Sequence, residues 1–116
     1  MTLVKPAVRS YSRYARDAAR LLGQEIRVAR LEKGITIEEL AARAGLSRGL
    51  VHRIEQGDLG CSIGAVFETA AILGIRLFDA DLPSLAAHVS ANNAILTLLP
   101  QAARASTTRC GSSLAA

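Results

Sequence analysis

Residues 36–56 read TIEELAARAGLSRGLVHRIEQ, and this stretch decides the fold. Thr36 precedes Glu39 by three positions, the spacing of a reciprocal helix cap. The hydroxyl of Thr36 can accept from the amide of Glu39, while the Glu39 carboxylate accepts from the amide of Thr36. The helix that starts here ends after Ala44, where Gly45 lets the chain reverse without a Cβ clash. Ser47 then caps a second short helix, which stops at Gly57. Ala41 is small where the two helices cross. Leu40, Leu46, Val51 and Ile54 are expected to point into a core, which leaves Arg48, Gly49, His52 and Arg53 on the opposite face.

The same punctuation extends outward. Upstream, Ala15, Ala18, Ala19, Leu22, Ile26 and Ala29 recur at steps of three and four, one apolar face of a helix that ends near Gly34. Downstream, a fourth helix is expected after Ser62, carrying Ile63, Val66, Phe67, Ala70 and Leu73 inward before Gly74. The alternation in Ile75–Asp79 predicts a short extended segment. A fifth helix is expected over about 84–99, between Pro83 and Pro100, followed by an Ala/Ser/Thr-rich tail expected to be disordered. The predicted organisation is a basic arm over 1–14, a core domain over 15–82, a C-terminal helix over 83–100 and a flexible tail over 101–116. Half of the 116 residues are apolar and only 3% are aromatic, so Ala and Leu supply the bulk, which favours an all-α fold.

Charge is unevenly placed. Residues 1–33 hold eight basic side chains against three acidic ones, whereas residues 34–83 hold four against seven, within a net charge of +4. The centre of the chain is therefore no generic polycation, and contact with nucleic acid there depends on local placement. The two cysteines, Cys61 and Cys110, have no metal-ligand spacing, so neither a zinc site nor a disulfide framework is expected, and a reducing cytoplasm is the natural setting. Nothing approaches the roughly 20 apolar residues of a membrane span. Neither a catalytic arrangement nor a cofactor-binding loop stands out, so the chain is not expected to be an enzyme or to carry a metal or cofactor.

Two short helices joined through Ala44-Gly45-Leu46-Ser47 make a helix-turn-helix arrangement. Over residues 22–77 the chain resembles the lambda-repressor/Cro-like (XRE) helix-turn-helix regulators. The resemblance is carried by Arg30 with Glu32-Lys33-Gly34, by Thr36 to Ala41, by Gly45-Leu46-Ser47 and by Ile54-Glu55-Gln56-Gly57. It implies a five-helix DNA-binding domain in which the helix starting at Ser47 enters the major groove. It further implies a structural ion pair between Arg30 and Glu55. Arg48, Gly49, His52 and Arg53 fall on base-facing positions, while Thr36, Ile37, Ser47 and Arg43 fall on phosphate-facing ones. Two departures stand out: Ile37 occupies a position where the family usually has Gln, and Asp58-Leu59-Gly60 lacks the basic residues that often follow Gly57.

The chemistry of these positions is suited to DNA. Arginine forks bond the O6 and N7 of guanine, and each bidentate pair discriminates by about 1–3 kcal/mol. His52 could meet a base edge or a phosphate. Gly49 permits close approach to the groove at some cost in helix stability. Arg9, Arg13, Arg16, Arg20 and Arg27 would share one stripe of a continuous helix, either to neutralise phosphates or simply as a solvated face. The resemblance implies a double-stranded operator and a homodimer as partners. The apolar block Ile95-Leu96-Thr97-Leu98-Leu99-Pro100, following residues 75–81, also resembles the DNA-binding antitoxins paired with HipA-type serine/threonine kinase toxins, which makes such a kinase the alternative partner. The final Leu114-Ala115-Ala116 is similar to the end of the bacterial ribosome-rescue degradation tag.

Overall fold

The computed structural model describes residues 10–102; Arg9, Cys110 and Leu114-Ala115-Ala116 lie outside them. The described residues divide into two compact units, one ending at Asp79 and the other beginning at Ala80. Among the described residues the elements are helical: α1 (Arg13–Glu32), α2 (Ile37–Ala44), α3 (Arg48–Glu55), α4 (Ile63–Ile72), a 3-10 turn (Leu77–Asp79) and α5 (Leu82–Leu98). None of these helices is long and apolar enough to cross a membrane.

Each start has a chemical cause. Ser12, Thr36, Ser47 and Ser62 cap α1 to α4, each side chain accepting from an amide three residues on. At Thr36 the reciprocal cap is complete: its hydroxyl accepts from the Glu39 amide at 3.0 Å and its amide donates to Glu39 Oε1 at 2.7 Å. Gly45 closes α2 at φ 69°, in the left-handed region. α1 begins two residues before the apolar pattern that reveals it, because Ser12 supplies the cap.

The core of the first unit joins Ile26 of α1, Leu40 and Ala41 of α2, Val51 and Ile54 of α3, Ala65 and Ala70 of α4, and Leu73 at the C-cap of α4. Leu22, Ala29, Ile37, Leu46 and Val66 pack around it, half-buried. α3 lies against both α1 and α2, and α2 also packs on α4. Gly23 sets the approach of α1 to α3. A Cβ there would stand 2.5 Å from the carbonyl oxygen of Ile54 and 2.8 Å from that of Glu55, so only glycine fits.

Three expectations need correction. Ile63 does not face inward but is 69% exposed, because it is the first residue of α4, while Ala65 and Thr69 take the buried positions. Ala18 likewise lies exposed, on the flank of the α1 stripe. Residues 75–79 contain no strand. Leu77–Asp79 forms a 3-10 turn with Phe78 and Asp79 at φ 55°, and the Phe78 ring meets Phe67 edge-on at 6.4 Å.

In the second unit α5 is capped by Asp81, whose carboxylate accepts from the amide of Ser84 at 3.0 Å, with Pro83 in the first turn. No residue of α5 is buried, and Val89, Ile95, Leu96 and Leu98 are exposed.

Candidate nucleic-acid interface

Burial of Val51, Ile54 and Glu55 fixes which way α3 faces. Ser47, Arg48, Gly49, His52, Arg53 and Gln56 are left exposed on its other side. All four residues expected to face bases, together with Ser47, therefore share one surface. The hydroxyl of Ser47 accepts from the amide of Leu50 at 3.1 Å, which anchors the start of that surface.

Both exposed arginines of α3 are held by a carboxylate from a neighbouring segment. Arg48 donates through Nε to Oε2 of Glu38, on α2, at 2.6 Å. Arg53 donates through Nε to Oδ2 of Asp58 at 2.9 Å, and Asp58 Oδ1 accepts from the amide of Gly60 at 2.7 Å. The Arg48 bond, followed by the backbone amide of Glu38 itself, holds the Glu38 carboxyl below the usual range. Asp58 is also held low, first by the Gly60 amide and then by Arg53. In turn the Asp58 bond raises Arg53. Asp58-Leu59-Gly60, which lacks basic residues, is thus a turn that grips Arg53.

Arg30 is built differently. Its Nε and Nη2 donate to the two carboxylate oxygens of Glu55 at 2.7 and 3.1 Å, and Nη1 donates to the carbonyl of Ile35 at 3.0 Å. The pair is buried, and the bond to Glu55 raises Arg30 against the opposing effect of burial. Every arm of this guanidinium is engaged inside the fold, so Arg30 serves to lock α1, α3 and the α1–α2 connection together.

The positions expected to meet phosphate are less uniform. Thr36 is committed to its cap. Ile37 is half-buried and packs on the core, so at most its backbone amide is available to an anion. Glu38 and Glu39 place two carboxylates in the first turn of α2, which suits the helix dipole but opposes a phosphate there. Arg43 is exposed in the last turn of α2.

The basic stripe of α1 separates into two parts. Arg13 pairs with Asp17 at 3.5 Å and Arg16 donates to the carbonyl of Tyr11 at 3.1 Å. Arg20 and Arg27 instead line an open cleft with Gln24 of α1 and with Glu55 and Gln56 at the end of α3. Arg20 also abuts Gly57, where a Cβ would lie 2.9 Å from its Cα. Two cations of α1 thus border the end of the exposed α3 surface, a juxtaposition that helix periodicity alone does not reveal. His88 is exposed on α5, and Cys61 is half-buried with its thiol pushed up, chiefly by burial. No group of three or more His, Cys, Asp or Glu among the described residues could hold a metal ion.

Comparison with known proteins bears on the helix-turn-helix. Residues 21–81 match the family described as helix-turn-helix domain. The chain is also similar to an uncharacterized HTH-type transcriptional regulator of Sinorhizobium fredii, with 34% identity over 68 residues, covering 59% of this chain and 88% of that protein. The helix order, the capped turn between α2 and α3 and both likenesses lead to one assignment: the chain belongs to the XRE-like helix-turn-helix regulators.

Proposed function

We propose that this protein is a sequence-specific, double-stranded DNA-binding transcriptional repressor that acts as a homodimer, on its own operon among others. α3 enters the major groove with Arg48, Gly49, His52 and Arg53 toward the base edges. Ser47, Arg43 and the backbone amide of Ile37 lie toward phosphates. One observation carries this reading: Arg48 and Arg53 stand on the exposed side of a capped helix whose other side is buried, with their terminal nitrogens making no hydrogen bond to described residues. Arg20 and Arg27 add charge at the border of that surface, which supports a division between residues that read and residues that hold.

One short recognition helix covers few base pairs, so two copies on half-sites about one helical turn apart are expected. The exposed Val89, Ile95, Leu96 and Leu98 of α5 support it as the pairing element. They would equally suit the alternative, an antitoxin that binds and inhibits a HipA-type kinase while repressing its own operon. Recovery of a kinase-like protein with the tagged chain from its native cells would favour that alternative.

Binding is tested with Arg48→Ala and Arg53→Ala on an operator recovered by selection. Each is expected to lose about five- to 150-fold in affinity, as loss of one bidentate base contact implies, with an unchanged melting curve. Parental affinity in both variants would refute the groove assignment.

A further inference from the structure

Three arginines around α3 donate to carboxylates, and they do so in two ways. Arg30 spends Nε and both terminal nitrogens inside the fold. Arg48 and Arg53 spend Nε alone. In each of these two cases the carboxylate comes from outside α3, Glu38 from α2 and Asp58 from the turn that follows. Asp58 is itself fixed through its second oxygen by the Gly60 amide.

These two pairs are poorly explained as stabilisers. The side chains are 62% and 64% exposed for Arg48 and Glu38, and 52% and 39% for Arg53 and Asp58. Ion pairs that open to water contribute little to stability. Their geometry has a clearer consequence at a DNA surface. A guanidinium is a rigid planar fork, so fixing Nε restricts the directions its two terminal amino groups can take. Those two groups together match the O6 and N7 of guanine. The carboxylates also add negative charge beside the reading surface, and a DNA phosphate approaching either arginine meets that charge. A guanine edge offers neutral acceptors and suffers less repulsion. Contact with a base is thereby favoured over contact with the backbone, and backbone contact is the basis of non-specific binding.

We propose that Glu38 and Asp58 are specificity-determining residues: each orients a reading arginine through Nε and penalises phosphate contact by that arginine. This rests on the reading of α3 as the groove-entering helix.

The test measures affinity of the full chain for the selected operator and for a random duplex of equal length, at two salt concentrations. Glu38→Gln keeps an acceptor for Nε and removes the charge. Asp58→Asn also removes the charge but leaves one acceptor oxygen, which can serve Arg53 Nε or the Gly60 amide and not both. Each is expected to bind the random duplex about threefold tighter or more, and the double variant to lose about tenfold in the operator-to-random ratio. Glu38→Ala, which removes the acceptor as well, should lower the ratio further than Glu38→Gln. Far-UV circular dichroism checks the fold, and Glu38, which takes no part in the Asp58 turn, keeps the test open if Asp58→Asn disturbs that turn. An unchanged ratio in the carboxylate variants, with a reduced ratio in Arg48→Ala and Arg53→Ala, overturns this inference alone. An unchanged ratio in all of these variants overturns the groove assignment and this inference with it.

Discussion

Arg30 and Glu55, 25 residues apart in sequence, meet inside the fold through two hydrogen bonds of 2.7 and 3.1 Å. The pair joins the long first helix to the helix proposed to read DNA. Removing one partner strands the other as a buried, uncompensated charge. Glu55→Ala should therefore cost about 3–5 kcal/mol in urea unfolding, whereas replacing both residues by apolar ones of similar volume should recover much of that loss. A cost below about 1 kcal/mol for the single change would mean that water reaches the pair.

Gly23→Ala tests the approach of α1 to α3. Alanine is the better helix former by about 1 kcal/mol, so helix propensity alone predicts stabilisation. The added methyl would instead collide with two backbone carbonyls of α3, which cannot swing aside as a flexible side chain can. We expect a net loss of about 1–3 kcal/mol, read from the urea midpoint. An equal or higher midpoint would show that the helices separate without cost.

Gly49→Ala separates stability from function. Nothing lies within 4 Å of a Cβ at Gly49, so the free protein places no steric demand for glycine there. The variant should gain up to about 1 kcal/mol in stability. Its operator affinity should fall if the groove closes tightly on α3, and comparison of the melting temperature with the binding isotherm reads both effects in one variant.

Titration of the carboxyls by NMR provides a separate readout. Glu38 and Asp58 are both held below the usual range in the folded chain. Their contribution to stability is present above the ordinary carboxylate pKa and disappears as pH falls through the depressed values. In Arg48→Ala, Glu38 should move up toward its ordinary value, since Arg48 is the largest cause of its shift. In Arg53→Ala, Asp58 should move less, because the Gly60 amide is the larger cause there.

How much of this was legible in the sequence follows the range of each interaction. The caps at Thr36, Ser47 and Ser62 and the glycine at 45 obey rules spanning three or four residues, and the sequence reading placed them where they are. The core faces of α2 and α3 followed from helical spacing. Spacing misplaced Ile63, because in the first turn of a helix the cap and its entry angle override the stripe. It also read residues 75–79 as extended, because alternation over so few residues looks the same in a turn. Phe78 and Asp79 adopt left-handed backbone there without any glycine to signal it. The fit at Gly23 and the hold of Glu38 on Arg48 needed the tertiary arrangement, since their partners are remote in sequence.

On the proposed function, the exposed surface of α3 reads a defined sequence for two copies of the chain. Selection of bound sites from a random duplex pool, repeated at low and moderate salt, tests it most directly. We predict a two-fold symmetric consensus with guanines at the positions served by Arg48 and Arg53, half-sites about one helical turn apart and the same consensus at both salts. A pool that stays random at moderate salt while binding strongly at low salt would reveal phosphate attraction alone, and would contradict the account.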